Sequence, residues 1–515
     1  MDEIIVIRAA DPDGSVFKAV MDVLNGKRAE VVSIAASVAP VLRIRELEIY
    51  HKHRRVFMAG KEVHLNHGEY TMLYCMASSP GQVFLFTGES GCGKTTIIKL
   101  INGLLQHGGG GTLEGAVTVG GRDVAGTPLW ELAQTVGSVF QNPKSQFFNL
   151  DTTGEVLFGL ESRGASREEM SRVLDSAVQV CGVGPLLDRN IFALSGGEKQ
   201  RIAYASAWAM GPEVFVLDEP SSNLDGEGIR QLRDILRRLK AAGKTVLVAE
   251  HRLWYAADLA DRVFYLRGGR LERIYTGAEF LALPEEKRRS MGLRSLTEVP
   301  LPEPHPSSEA SGLTVRGLRA SYGGRAVWQD VSFTAPRRQI TAITGHNGAG
   351  KTTLARCLCG LMKEQAGTIL WDESPLGRKE RRRKAFLIMQ DVNLQLFGDS
   401  VLAEARLGST ATEQEALAAL EQMDLVQYAQ AHPLALSGGQ KQRLAIVDGC
   451  LSGKELLIFD EPTSGLDYAH MLEVSRLLRE LAKQGLCVVV ITHDGEFLRE
   501  SGAQTAEWVP KERHQ

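Results

Sequence analysis

The chain has 515 residues, of which 43% are hydrophobic and 23% charged, and its net charge is −3. That length is too great for one hydrophobic core and predicts two to four domains of an ordinary globular protein. The near-neutral charge gives no general attraction to nucleic acid. The longest weakly polar stretch, residues 31–42, is too short to span a bilayer, and the acidic start Met1-Asp-Glu is unlike a secretory signal. We therefore expect a cytoplasmic protein whose seven scattered cysteines are free, buried thiols.

Residues 1–80 form an atypical N-terminal segment. From Val41 onward the sequence alternates in a way that predicts short strands, and Asn66 is placed to cap a helix over residues 69–77. Residues 41–84 resemble the first half of the winged-helix DNA-binding domain of response regulators, but no recognition helix or wing follows them. In the alternative interpretation, these strands open the domain that comes next.

A glycine-rich sequence of the form G-x4-G-K-[ST] occurs twice, each time after an apolar run. Each copy predicts a strand, a tight turn and a helix, whose backbone N–H groups and positive N-terminal end surround a phosphate. The lysine of each copy would reach the β- and γ-phosphates of a nucleotide, and the threonine after it would bind Mg²⁺. The two loops are Gly88-Glu89-Ser90-Gly91-Cys92-Gly93-Lys94-Thr95-Thr96 and Gly345-His346-Asn347-Gly348-Ala349-Gly350-Lys351-Thr352-Thr353.

Paired carboxylates follow an apolar strand in each half of the chain. Asp218 and Glu219 end one such run, and Asp460 and Glu461 end the other. The carboxyl ends of buried strands are where α/β sheets bind ligands. The first acid of each pair would hold Mg²⁺, and the second would orient and deprotonate an attacking water.

A serine followed by two glycines opens a helix in each half. As local structure, each sequence predicts a capping box, with Glu198 or Gln440 at the third helical position. Glycine inside a helix costs about 1 kcal/mol relative to alanine, so a repeated glycine pair indicates that a second phosphate approaches the backbone closely. The residues are Ser195, Gly196 and Gly197 in the first half and Ser437, Gly438 and Gly439 in the second.

These features recur in the same order, which indicates a duplicated domain. The loop lysines are 257 residues apart, whereas the serines, the acids and the histidines His251 and His493 are all 242 apart. Alternating apolar strands and helical segments predict an α/β fold with a mainly parallel sheet in each copy. We expect a first domain at 81–298, a proline-rich linker at 299–312 and a second domain at 313–515.

The complete motif set resembles that of ATP-binding cassette (ABC) proteins with two tandem P-loop NTPase domains, each carrying a helical subdomain. The resemblance implies an intramolecular head-to-tail dimer that encloses two ATP molecules and Mg²⁺. Site one would join Lys94, Asp218, Glu219 and His251 to Ser437 and Gly439, and site two would join Lys351, Asp460, Glu461 and His493 to Ser195 and Gly197. Gln141 and Gln390 would contact Mg²⁺ and water, and both sites are expected to hydrolyse ATP.

In this family an aromatic residue before the phosphate loop stacks on adenine. Tyr322 lies 23 residues before Gly345 and fits that role for site two. Tyr50 lies 38 residues before Gly88. The adenine-stacking residue of site one therefore stays open.

The segments 139–148 and 389–397 resemble the glutamine loops of energy-coupling-factor (ECF) transporter ATPases. That resemblance implies transmembrane subunits docking beside Gln141 and Gln390, a separate substrate-binding membrane protein, and a location at the inner face of the membrane. A vitamin or transition-metal ion would be the cargo. The alternatives are a tandem ABC protein acting on ribosomes or a DNA-associated regulator, although no stable nucleic acid is expected. The basic run 378–384 is expected to be a solvated helix face, with contact to anionic lipid as the alternative.

Overall fold

The computed structural model describes residues 41–44, 47–50, 55–58, 61–63, 81–108, 113, 117–304, 311–322 and 325–506. The helix predicted at 69–77 lies outside these ranges. Four strands of the N-terminal segment form an antiparallel meander in the order β1-β2-β3-β4. They are β1 (Val41–Ile44), β2 (Leu47–Tyr50), β3 (Arg55–Met58) and β4 (Lys61–Val63). The predicted short strands are therefore present, and both interpretations of this segment begin with such strands.

The first domain is built on a six-stranded sheet in the order β12-β11-β5-β10-β9-β8, in which only β12 is antiparallel to its neighbour. Its central strands are continuous apolar runs because helices cover both faces. The strands are β5 (Val83–Gly88), β8 (Val136–Val139), β9 (Val214–Asp218), β10 (Thr245–Ala249), β11 (Arg262–Arg267) and β12 (Arg270–Thr276), with a separate small pair β6 (Thr118–Val119) and β7 (Arg122–Asp123).

The second domain repeats this sheet as five parallel strands in the order β18-β19-β20-β15-β21. The strand before each phosphate loop lies beside the strand before each histidine, which in turn lies beside the strand that carries the acids. This correspondence confirms the predicted duplication and the α/β fold. The strands are β15 (Ile340–Ile343), β18 (Ala385–Ile388), β19 (Leu456–Asp460), β20 (Cys487–Ile491) and β21 (Gln504–Thr505).

The helices of the two domains follow the same duplication. In helix α7 (Gly226–Ala241), apolar residues at helical spacing, including Ile229, Leu232, Leu236 and Leu239, are buried against the sheet. The helices of the first domain are α1 (Lys94–Ile101), α2 (Leu104–His107), α3 (Leu129–Leu132), α4 (Thr152–Ser162), α5 (Arg167–Cys181), α6 (Gly196–Ala209), α7 (Gly226–Ala241), α8 (Gly277–Leu281) and α9 (Glu285–Ser290). Those of the second are α10 (Lys351–Leu358), α11 (Arg378–Lys384), α12 (Val401–Arg406), α13 (Glu413–Gln422), α14 (Gly438–Leu451), α15 (Tyr468–Lys483) and α16 (Gly495–Ser501).

The two domains differ in their antiparallel sheets. In the second domain, β13 (Gly312–Tyr322), β14 (Arg325–Pro336), β16 (Ala366–Trp371) and β17 (Ser374–Pro375) form a four-stranded sheet. In the described part of the first domain, β6 and β7 pair only with each other, and the β1–β4 meander is a separate sheet. Described pairing therefore does not join the N-terminal strands to the first domain.

Three further sequence expectations can be compared with the structure. The six cysteines within the described ranges are free, and only Cys450 among them is not fully buried. The basic run forms α11, and its residues other than Arg381 are exposed or partly exposed, as expected of a solvated face. Arg381 is completely buried and bonds Glu364 at 2.7 Å, so the expectation was wrong at that residue. None of the helices in the described ranges combines enough length and apolar character to cross a membrane.

Candidate active sites

Both phosphate loops lie at the carboxyl end of a central strand and lead directly into a helix, as the sequence predicts. Gly88 and Gly345 have φ angles of 149° and 147°, and a Cβ on Gly88 would lie 2.1 Å from the carbonyl oxygen of Leu266. Only glycine fits there. The two lysines are buried over their own loops, where Lys94 Nζ donates to the carbonyl of Glu89 at 3.0 Å and Lys351 Nζ to that of Gly345 at 2.7 Å.

A threonine hydroxyl and an aspartate meet beside each loop. Thr95 Oγ1 donates to Asp218 at 2.9 Å, and Thr352 Oγ1 donates to Asp460 at 2.8 Å. Burial, and then the charge of Glu461, raise the pKa of Asp460 to about 6. Burial also raises the pKa of Asp218. Hydroxyl and carboxylate oxygens are the ligands that Mg²⁺ prefers, so this donor set fits the predicted ion.

The second acid of each pair has a strained backbone. Glu219 and Glu461 have φ angles of 44° and 51°, in the left-handed region that residues other than glycine rarely adopt. Each is held there by a backbone N–H bond of 2.8 Å to the neighbouring strand, at Ala249 and Ile491 respectively. Such strain costs about 1–3 kcal/mol and is concentrated at functional sites.

In site one, two predicted residues converge on Glu219. Gln141 Nε2 donates to Glu219 Oε2 at 2.9 Å, and His251 Nε2 lies 3.7 Å from Oε1. Burial, and then the charge of Glu250, raise the pKa of Glu219 to about 8. Burial, followed by the charge of Lys94, lowers the pKa of His251 well below its ordinary value.

In site two, the corresponding glutamate has different partners. His493 Nδ1 lies 2.8 Å from Glu461 Oε1, and Thr492 Oγ1 donates to Oε2 at 2.9 Å. Burial alone would raise the pKa of Glu461, but the pairing with His493 and the charge of Lys351 outweigh it and lower the pKa. Gln390 Nε2 donates to Asn223 Oδ1 of the first domain at 3.5 Å. The two sites therefore have equivalent residues, but the pKa of the glutamate is raised in site one and lowered in site two.

One sequence difference that contributes to this asymmetry is the residue before each histidine. Glu250 stands where the second domain has Thr492, 242 residues later. Glu250 is buried, accepts backbone N–H groups from Ser221 and His251 at 3.2 and 2.8 Å, and accepts the Tyr255 hydroxyl at 2.8 Å. The sequence analysis gave Glu250 no role, although comparing the two copies position by position reveals it.

An aspartate of each domain reaches the phosphate loop of the other. Asp467 Oδ2 accepts the Ser90 backbone N–H at 2.6 Å, and Asp225 Oδ2 accepts that of Asn347 at 2.5 Å. These aspartates also cap α15 and α7. Because they stand 242 residues apart and their partners 257 apart, the contacts are equivalent by the duplication. Sequence analysis assigned these aspartates no function.

The serine–glycine sequences form the predicted capping boxes. Ser195 and Glu198 bond each other's backbone N–H groups at the start of α6, and Ser437 and Gln440 do so at α14. A Cβ added to Gly438 would meet no atom of the described residues within 4 Å, and one on Gly196 would meet only the carbonyl oxygen of Asn223 at 3.7 Å. Packing within the chain therefore leaves the space next to these glycines open.

The two tyrosines considered for adenine stacking each end a strand. Tyr322 is the last residue of β13, but its side chain lies outside the described part of the structure. Tyr50 ends β2 in the N-terminal meander.

Comparison with known proteins shows which family this chain belongs to. The model of the ABC transporter family matches residues 75–222 and again residues 328–464, which together make up more than half of the chain. The chain belongs to the ABC transporter family. It is 46% identical over 428 residues to an ABC transporter ATP-binding protein of Treponema denticola, covering 81% of this chain and 88% of that protein.

Other relatives extend the comparison. The ABC chain is 32% identical over 452 residues to a Bacillus subtilis protein named as an HMP/thiamine import ATP-binding protein, YkoD, with 81% and 83% of the two chains covered. Among solved structures, ribosome-bound archaeal ABCE1 with Pelota aligns with a TM-score of 0.58 at 21% identity, covering 82% of this chain and 71% of that one. The RNase-L inhibitor aligns with a TM-score of 0.53 at 21% identity, and the alignment covers 82% of each chain. At that identity the structural likeness shows the fold alone. The family and its relatives make this chain an ATP hydrolase.

Proposed function

We propose that this ABC protein is the ATP-hydrolysing subunit of an ECF-type importer, working at the inner face of the membrane through separate transmembrane subunits. The observation that carries the proposal is a duplicated set of exposed apolar side chains that follow Gln141 and Gln390 along the chain. In the first domain these are Phe148, Phe158 and Phe192; in the second they are Phe397, Leu407 and Leu434.

The two patches match position by position. Phe148 and Phe397 are 249 residues apart, the same spacing as Gln141 and Gln390, and they are 77% and 75% exposed. Each is fixed by a buried glutamate. Glu155 accepts the Phe148 backbone N–H at 2.9 Å, and Glu404 accepts that of Phe397 at 2.6 Å. A rigidly held, exposed aromatic on each domain is suited to an apolar partner.

A pair of equivalent patches favours a partner that offers two similar apolar elements. Cytoplasmic helices of membrane subunits have that character, and the resemblance of residues 139–148 and 389–397 to ECF glutamine loops supports the same partner. The Bacillus relative is named for HMP/thiamine import, which supports a vitamin-type cargo. A separate membrane protein would bind that cargo.

For hydrolysis, we propose the composite sites implied by the ABC motifs. ATP would lie between the phosphate loop of one domain and the serine–glycine helix of the other, and the open space next to Gly438 supports such an approach. Mg²⁺, held by Thr95 and Asp218 or by Thr352 and Asp460, would neutralise phosphate charge. Glu219 and Glu461 would each accept a proton from the attacking water, and the charge of Mg²⁺ next to Asp218 would favour the ionised form of Glu219 that this step needs.

The glutamates provide the test of catalysis. Changing both Glu219 and Glu461 to Gln keeps their size and removes the base, so we expect turnover to fall by at least about a hundredfold while ATP still binds. Steady-state hydrolysis and equilibrium binding of a fluorescent ATP analogue measure the two effects. Normal hydrolysis in this double variant would remove the general-base assignment.

The exposed aromatics provide the test of partnership. Affinity-tagged protein purified from membranes of its own organism should bring down multi-span membrane proteins, and Phe148→Asp with Phe397→Asp should abolish that association. Trp130→Asp is the matched control, because Trp130 is 69% exposed but corresponds to Lys379, so it has no duplicate. Recovery of ribosomes or DNA in place of membrane proteins would support the tandem ABC protein acting on ribosomes, or the DNA-associated regulator.

A further inference from the structure

One arginine of the first domain reaches the histidine of the second active site. Arg252 Nη1 lies 3.0 Å from His493 Nε2, and only 13% of the Arg252 side chain is exposed. Arginine has N–H donors and no acceptor, so Nε2 must accept this bond. The ring proton is therefore on Nδ1, which faces Glu461 Oε1 at 2.8 Å. The two contacts form a relay from Arg252 through His493 to Glu461.

We propose that Arg252 is a positioning residue for site two: it fixes the ring of His493 across the domain boundary, so that His493 donates from Nδ1 and orients Glu461. The relay exists only while the first domain is docked on the second. It thereby couples docking of the domains to alignment of the base. This inference rests on the role of Glu461 proposed above.

The ion pair that Arg252 forms with a carboxylate is longer than its contact with His493. The nearest carboxylate to the Arg252 guanidinium is Asp494, whose Oδ2 is 3.9 Å from Nη2. Asp494 is already bound by Arg294 at 2.6 Å and by the Thr463 hydroxyl at 2.8 Å. Arg252 also lowers the pKa of Asp494, but it lies farther from this carboxylate than Arg294 does. The short bond of Arg252 is the one to His493.

Neighbouring groups hold Arg252 in place. Its backbone N–H donates to Glu250 Oε1 at 3.0 Å, and Glu250 is itself buried. The guanidinium lines a cavity of about 360 Å³ that also borders His493 and the start of the second phosphate loop at Gly345. The Arg252 backbone is therefore anchored by Glu250, and its side chain borders the cavity next to the second phosphate loop.

The relay belongs to one site only. The second-domain residue equivalent to Arg252, 242 positions later, is Asp494. Asp494 has no side-chain N–H to donate, so the equivalent contact to His251 cannot form from this position. The two ATP sites should therefore depend differently on docking of the domains.

The kinetic test uses a background in which site two alone turns over. In Glu219→Gln protein, Arg252→Gln should lower kcat roughly tenfold, the scale of losing a hydrogen bond from a charged group, with KM for ATP changed less than twofold. Arg252→Lys keeps one charged donor and should recover part of the loss. Arg230→Gln is the control: Arg230 lines the same cavity but is largely exposed and pairs with Glu298.

A spectroscopic readout separates positioning from a structural effect. In protein with ¹⁵N-labelled histidine, with the His493 signals assigned by their absence in His493→Ala, the ring should show protonated Nδ1 and bare Nε2. Arg252→Gln should shift the ring toward an Nε2–H form, and Arg230→Gln should not. If Arg252→Gln matches Arg230→Gln in kcat or leaves the ring signals unchanged, the inference is wrong. If Glu219→Gln with Glu461→Gln still hydrolyses ATP, the site assignment fails first.

Discussion

Arg294 is the side chain whose removal should disturb the joint between the domains most. It follows α9 of the first domain, yet its guanidinium is buried in the second, with 4% of the side chain exposed. It bonds both carboxylate oxygens of Asp494 at 2.6 Å, Glu496 Oε2 at 2.7 Å and the carbonyl of Leu466 at 3.3 Å. Burial would lower its pKa, but Asp494 and Glu496 outweigh burial and raise it.

Arg294→Met keeps the apolar stem and leaves two buried carboxylates without this cation. Removing one partner of a buried ion pair costs about 3–5 kcal/mol, because the remaining charge stays uncompensated. For a domain of this size that corresponds to a fall in Tm of roughly 6–20 °C. We expect the loss to appear in the transition of the second domain and in the docking of the two domains.

Differential scanning calorimetry of the full chain measures this loss. Arg289→Met is the control, because Arg289 bonds Glu285 and Glu500 from a position that is 39% exposed, where pairs contribute at most about 1 kcal/mol. Changing Asp494 to Asn and Glu496 to Gln together with Arg294→Met should restore part of the stability. The reasoning is refuted if Arg294→Met lowers Tm no more than Arg289→Met does.

Two further predictions concern the same joint. Gly495→Ala places a Cβ 2.1 Å from the carbonyl oxygen of Val299, so it should push away the segment after Arg294 and lower Tm by several degrees; an unchanged melting curve would contradict that packing. Burial opposes ionisation of Asp494, but Arg294 outweighs it and holds the Asp494 pKa well below its ordinary value. This stability is present above the unfolded-state pKa of about 4 and is lost as pH falls below it. Tm should therefore fall more steeply below about pH 4 in the wild type than in Asp494→Asn, and parallel curves would exclude this linkage.

Much of the fold was predictable because the decisive signals are local. A glycine loop after an apolar run fixes strand, turn and helix within about fifteen residues, as at Lys94 and Lys351. The position of acids at the ends of apolar strands is also a local signal. Asp218 and Asp460 accordingly accept hydrogen bonds from Thr95 and Thr352 of the phosphate loops. Repetition at a constant offset made the duplication certain before any contact was known.

The contacts between domains were not predictable in this way. Arg294 and Asp494 are 200 residues apart, and no local pattern says which carboxylate an arginine will meet. The burial of Arg381 was not predictable from local sequence either. Its basic neighbours predict an exposed position, but in α11 its side chain is buried and pairs with Glu364. The asymmetry of the sites depends on Glu250 and Arg252, which become visible only when the two copies are compared position by position.

The central proposal is that each domain completes the ATP site of the other. A structure of the Glu219→Gln, Glu461→Gln protein with Mg²⁺ and ATP tests it most directly. The proposal predicts two nucleotides, one between the loop of Lys94 and Ser437 and one between the loop of Lys351 and Ser195. A triphosphate enclosed by a single domain, with the serine of the other domain turned away, would contradict it.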